Sequence, residues 1–245
     1  MAIIKDTQAR RERADAKRRA LLRFLRDELY TTPAVAALVM QCGERAARQT
    51  VLSMEKAGLV RRHTVPVLPG LPPVVIVSIT NHGQAMAFDP DKEQVVDRVF
   101  EPGRYSLVFL AHTLDIQRLR VQAVHSGRVQ KWVPGEALGA GAKGVKRPDA
   151  VVLTTDKIRV AVEVERSIKN RKRYAGILAA HLSAIRQNKW SRVVWASPDN
   201  DTAKRVAAIL RSIKRVQISG GDTLLTDSHF KPFSFTTYTD FVHNL

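Results

Sequence analysis

The sequence predicts a mixed α/β chain, α+β overall, built in two parts. Two observations carry that prediction. Within residues 20–80, three stretches of helical periodicity precede two valine-rich runs around a Pro/Gly loop. Beyond residue 105, helix-like and strand-like segments follow one another in the order α-β-β-β-α-β.

Residues 1–19 are rich in Arg and Lys and have no apolar stripe beyond Ile3-Ile4, which suggests a basic arm that contacts phosphates or only keeps the chain in solution. From Ala20 the periodicity turns helical, with Leu21, Leu22, Phe24, Leu25 and Leu29 on one face. Thr32-Pro33 is a helix start, hydroxyl at the N-cap and proline at the first helical position, and predicts a second helix over Pro33–Met40. Gln41-Cys42-Gly43 breaks the chain, and a third helix follows from about Glu44 to Ala57, with Gly58 placed for a left-handed cap. The segment VRRHTVPVLPGLPPVVIVSIT then predicts two strands. Helix, helix–turn–helix and hairpin in that order make a winged helix over 20–88. Its third helix would enter the major groove of DNA with Glu44, Arg45, Arg48 and Gln49, while Val51, Leu52, Met54 and Leu59 face inward. Arg61, Arg62 and His63 fall on the wing; a protein-contact role for the same domain is the alternative. Residues 89–104, charged and proline-bearing, suit a linker to a second domain over 105–245.

That second domain opens with a helix over Ser106–Val124, carrying His112, and a strand over Val129–Val133. The GAGAKG loop at 139–144 lacks the setting and the terminal Lys-Ser/Thr of a phosphate-binding loop, so nucleotide binding there is rejected. Two runs, DAVVLTT and RVAVEVE, then flank Asp156-Lys157 as a hairpin. A helix over Ser167–Asn188, a strand over 192–197, a helix around 201–214 and a strand near 216–219 follow. After Gly221 basic residues thin out, and Phe233 and Phe235 alternate with polar residues as in a strand that completes the core or docks a partner.

The hairpin carries the chemistry. A turn centred on Asp156 sets Asp149 opposite Glu163, where Cβ atoms stand roughly 4.5–5.5 Å apart, and Glu165 faces the same way as Glu163. Three converging carboxylates in a partly apolar setting protonate or take up a counter-charge, and a hard cation such as Mg²⁺ or Mn²⁺ suits an all-oxygen site. From Arg166 to Arg192 there are eight Lys or Arg (166, 169, 171, 172, 173, 186, 189, 192) and no acid. A cation site beside Arg166, Arg171, Lys172 and Arg173 points to phosphodiester chemistry on DNA. The alternative is a solvated acidic edge whose charge the basic residues balance without a metal; flanks as apolar as AVV and VAV weigh against it.

Pro148-Asp149, thirteen residues, then Glu163-Val164-Glu165 resembles the PD-(D/E)xK nuclease signature in the variant with Glu in place of the final Lys. Together with FLAHTLDIQRLR at 109–120, KWVPGEAL at 131–138, RPDAVV at 147–152 and VAVEVERSIKN at 160–170, the chain resembles the MOBC family of plasmid relaxases and the related replication-relaxation proteins. That resemblance implies an N-terminal winged helix joined to a restriction-enzyme-like nuclease domain. It also implies metal-dependent nicking of DNA, double-stranded or locally melted, at a transfer origin, in the bacterial cytoplasm with a relaxosome or coupling protein. Asp149 and Glu163 would be metal ligands, Glu165 a base or third ligand, and Lys169 a positive charge for the scissile phosphate. Tyr174 is expected to pack on its helix, not to act as a nucleophile.

Composition agrees with such a partner. A net charge of +17 and a pI near 10.6 call for a polyanion, either nucleic acid or an anionic membrane surface. No stretch approaches the ~20 apolar residues that span a bilayer, the first residues lack the apolar core of a secretory signal, and one cysteine, Cys42, excludes an internal disulfide. Two other classes remain open: a winged-helix plasmid regulator whose nuclease-like fold has lost activity, and a restriction-type endonuclease, which needs two sites and usually a dimer.

Overall fold

The computed structural model describes residues 6–66, 72–91, 100–104, 106–138, 147–218 and 220–245. The chain is mixed α/β and forms two compact units, Met1–Arg118 and Leu119–Leu245.

The first unit begins with helix α1, Thr7–Glu28. Residues 7–19 are therefore helical where the sequence suggested an arm. Their Ala, Arg, Lys, Gln and Glu are good helix formers, and Asp6 caps them by accepting from the Gln8 N–H at 2.9 Å. Being continuous with the apolar turns at Leu21, Leu22 and Leu25, they extend a helix already nucleated. Strand β1 (Tyr30–Thr31), helix α2 (Pro33–Val39) and helix α3 (Glu44–Lys56) follow. Thr32 caps α2 with proline at its start, and Gly58 takes φ 70° beyond α3. Strands β2 (Val60–Val65) and β3 (Val74–Ile79) pair antiparallel, and β1 joins the far side of β3 to give the order β1-β3-β2. Leu21, Leu25, Ala36, Ala47, Val51, Met54, Val77 and Ile79 form the core of helices against sheet.

Helix α4, Asn81–Ala87, follows β3 and was not foreseen. Thr80 caps it, and its Gly83 lies so close to β2 that a Cβ there would meet the Leu59 carbonyl oxygen at 2.1 Å. Of the segment expected to be a linker, residues 92–99 lie outside the described residues. Phe100 is not linker-like: it is 2% exposed, with its ring centroid 4.5 Å from that of Tyr30. Helix α5 spans Leu107–His125, and the division between the two compact units falls inside it. Within the first unit the amide of Gln117 donates to the Tyr30 carbonyl at 2.8 Å and accepts from the Thr31 hydroxyl at 2.8 Å.

The second unit is built on a five-stranded sheet of order β10-β7-β6-β5-β4. Its strands are β4 (Val129–Pro134), β5 (Ala150–Thr154), β6 (Arg159–Val164), β7 (Arg192–Ser197) and β10 (Phe233–Thr237). β4, β5 and β6 run antiparallel; β6–β7 and β7–β10 are parallel. Helices α6 (Arg171–Arg186) and α7 (Asn200–Ser212) supply Tyr174, Ile177, Leu178, Val206 and Leu210 to a core with Ala161, Val193, Trp195 and Phe233. The strand expected near 216–219 is β8 (Arg215–Ile218), and it leaves this sheet to pair with β9 (Gly221–Leu224). Its place at the sheet edge is taken by β10, where buried Phe233 lies on the α6 side. A short helix, α8 (Asp227–Phe230), precedes β10. The GAGAKG loop lies outside the described residues.

Candidate active site

The observed pairing of β5 with β6, Ala150 opposite Val162 through Leu153 opposite Arg159, has the symmetry of a turn centred on Asp156. Lys157 takes φ 64° in that turn, and the Thr154 main chain closes it through Lys157 and Ile158. Continued by one residue, that register would set Asp149 against Glu163, but the pairing ends at Ala150. At that end the ladder is altered: the Asp149 N–H donates to the Val162 carbonyl at 3.0 Å, and the Asp149 Oδ2 accepts from the Val164 N–H at 2.7 Å. The half-buried carboxylate thus stands in for a main-chain acceptor where β5 begins.

Glu163 and Glu165 alternate along β6 and both reach the face covered by α6. Glu163 is 4% exposed and Glu165 1%, so each needs a donor in place of water. For Glu163 the donor is His181, whose Nε2 lies 2.9 Å from Oε1. An ionised carboxylate can only accept, so with Glu163 ionised the bond needs the proton on Nε2. The His181 Nδ1 is buried and has no hydrogen-bond partner among the described residues. Trp190, Trp195 and Phe233 surround the imidazole at centroid distances of 5.6, 6.3 and 6.2 Å, an apolar setting in which the bond is strong and its loss costly.

For Glu165 the donors are two. Lys169 binds Oε1, and the Tyr174 hydroxyl donates to Oε2 at 3.1 Å. The same hydroxyl accepts from the Lys169 N–H at 3.2 Å. Burial, then the Glu165 charge, push the Tyr174 phenol up to about 12, although the Lys169 N–H acts the other way. Tyr174 is fully buried and stays protonated, a donor fixed beneath Glu165.

Lys169 was placed at the start of a helix by its sequence, but α6 begins at Arg171. Asn170 caps it, its Oδ1 accepting from the Arg173 N–H at 2.9 Å, and this leaves 167–170 as a loop from which Lys169 folds back. Arg166, Arg171, Lys172 and Arg173 are all exposed around that loop. Arg171 is committed in part, donating to the Ser212 carbonyl at 2.7 Å.

The three carboxylates therefore share a region without converging as expected. Among the described residues no group of three His, Cys, Asp or Glu side chains is arranged to hold a metal ion. Glu165 is engaged at both oxygens, Oε1 with the Lys169 ammonium and Oε2 with the Tyr174 hydroxyl. Asp149 and Glu163 are hard oxygen donors on neighbouring stretches of main chain, and that pair fits Mg²⁺ or Mn²⁺ in kind. His181 and Tyr174 were missed as partners of the site. One signal existed: their spacing of seven puts them on one stripe of α6, as Glu163 and Glu165 share one face of β6.

In the first unit, Glu44, Arg45, Arg48 and Gln49 are exposed on α3, with Arg48 3.5 Å from Glu44. Val51 and Met54 are buried as expected, and Leu52 is half-buried. On β2, Arg61 and Arg62 are exposed. Glu55 ties Arg62 through its main-chain N–H at 2.9 Å and its guanidinium at 2.6 Å. Burial alone would raise the Glu55 carboxyl; these bonds hold it below its usual range. His63 sits 2.8 Å from the Ser78 hydroxyl, and burial and then the Arg61 charge lower its pKa.

Compared with protein-family models, with curated proteins and with solved structures, the chain has no significant match. Among the described residues no helix is long and apolar enough to cross a membrane.

Proposed function

We propose that this chain is a metal-dependent DNA endonuclease of the relaxase kind, nicking one strand at a plasmid transfer origin. The observation that carries the reading is Asp149, just before β5, with its carboxylate on the Val164 N–H of β6, next in the chain to buried Glu163 and to Glu165 with its Lys169, where the chain runs on into the exposed cations of the α6 start. Hard oxygen donors next to anion-binding side chains are the parts that phosphodiester cleavage needs. In this reading the order α1–α3, β2, β3 is a winged helix that locates the site through Arg45, Arg48, Gln49, Arg61 and Arg62. The order α5-β4-β5-β6-α6-β7 is a PD-(D/E)xK core. Asp149 and Glu163 would hold Mg²⁺ or Mn²⁺, which supplies activation of water and neutralisation of phosphate charge. His181 orients Glu163, and Glu165 with Tyr174 holds Lys169 where positive charge is wanted. DNA, with relaxosome or coupling proteins, is the partner.

Supercoiled plasmid with and without the candidate origin, incubated with Mg²⁺, Mn²⁺ or EDTA, tests this. Open circles that depend on origin and metal are expected, and are lost in Asp149→Ala and Glu163→Ala while DNA binding persists. An active Glu163→Ala would sink the assignment; linear product would favour a restriction-type enzyme.

One observation favours a second reading, a winged-helix DNA-binding regulator. Glu163 and Glu165 already have donors within the chain, so their burial does not demand a metal. Tight binding with no cleavage in any metal is the result that reading expects.

A further inference from the structure

Where α6 begins, the second unit carries a depression of about 460 Å³ lined by Arg171, Lys172, Ala175, Ile213, Lys214 and Arg215. Four of those six are cations and none is an acid. Their commitments differ. Arg171 donates to the Ser212 carbonyl, and Arg215 pairs with Asp222. Lys172 and Lys214 are exposed, and neither ammonium has a hydrogen-bond or ion-pair partner among the described residues. Two uncompensated charges thus face one hollow with an apolar floor, Ile213 being 3% exposed. Like charges held together repel, and an entering anion relieves that repulsion. A neighbouring depression of about 370 Å³ shares Ile213 and Lys214 and adds Arg211 and Lys231, with Asp227 as the one acid among its lining residues. The two hollows make a track with Lys214 at its middle.

We propose that this track, from the start of α6 across the α7–β8 junction, binds the phosphate backbone of nucleic acid without reading its sequence. It rests on the DNA-binding part of the reading above and not on cleavage. The chemistry is that of counterion release, in which each ammonium that neutralises a phosphate frees a condensed cation. Nucleic acid is favoured over an anionic membrane because the more basic hollow has no large exposed apolar side chain to enter the headgroup layer.

Fluorescence anisotropy of the full-length protein on a labelled duplex of arbitrary sequence, over a range of salt, tests the proposal. Lys172→Ala/Lys214→Ala should weaken binding at least tenfold at about 0.1 M salt and flatten the log–log salt slope by roughly 2. Lys214→Arg should keep both, which separates charge from shape, and thermal melts show whether the variants are folded. Unchanged affinity and slope in the folded double variant overturn the proposal. So does loss of binding to phosphatidylserine vesicles with DNA binding intact. A wild-type protein that never nicks, yet shows the expected slope change, leaves this track standing and removes only the relaxase reading. A nicking protein whose slope is unaltered does the reverse.

Discussion

Tyr174 illustrates what a single buried hydroxyl does for this site. Its phenol donates to Glu165 and accepts from the Lys169 N–H, so it fixes both ends of the Glu165–Lys169 pair. Because its folded pKa is raised to about 12, above the ordinary value near 10, the protonated form contributes stability that is complete below about pH 10. That contribution is lost as pH rises through 12. Tyr174→Phe should therefore lower stability at neutral pH by about 1–3 kcal/mol and lack the corresponding part of the alkaline loss, as urea titrations from pH 7 upward would show. An alkaline profile identical to that of the unaltered protein counts against the hydroxyl's role. His181 presents the complementary case. Removing its imidazole takes the hydrogen bond from the buried Glu163 Oε1, so His181→Ala should cost about 3 kcal/mol or more, and His181→Gln, which can still donate, should cost less. Equal losses in the two variants would mean that packing against Trp190 and Phe233 decides, not the bond.

At the scale of elements, the end of β4 sets where Asp149 lies. Gly135 donates its N–H to the Asp149 carbonyl at 2.9 Å, and a Cβ on it would stand 2.0 Å from the Pro148 carbonyl oxygen. Backbone on both sides leaves nothing flexible to yield. Gly135→Ala should destabilise the protein by about 1–3 kcal/mol and shift the start of β5, and any Asp149-dependent nicking should fall more than the stability loss explains. A melt and a nicking assay on one preparation would check it; full stability would mean that the loop opens freely. What the sequence made legible was local and periodic: the β5–β6 register from two valine runs around Asp156, the caps at Thr32 and Gly58, and the inward face of α3. The rest depended on contacts that no period announces. Asn170 shortens α6 and frees Lys169; Phe100, in a charged stretch, finds Tyr30; β8 turns to β9, leaving the sheet edge to Phe233 and β10. Tyr174 and His181 occupy apolar positions of α6 and so resembled core residues, which they are, while their polar atoms meet carboxylates from another element.

For the whole molecule, 40 Lys and Arg stand against 23 Asp and Glu, an excess that packing does not require. It is spread over both units: Arg45, Arg48 and Arg61 are exposed in the first, Arg166, Lys172 and Lys214 in the second. If one duplex takes up both sets, its affinity should fall steeply with salt, and each unit should contribute its own share of the slope. Arg48→Ala and Lys214→Ala should then weaken binding additively, within about 0.5 kcal/mol, because the two side chains share no partner. If each unit held a separate duplex, the unit with the higher affinity would dominate at limiting DNA. One of the two substitutions would then have no effect. A double-mutant cycle on the unaltered background and again on Asp149→Ala decides between these cases without relying on cleavage. Additivity in both backgrounds is the expected result, since Asp149 is an anion bonded to the Val164 N–H and brings no positive charge of its own to a phosphate.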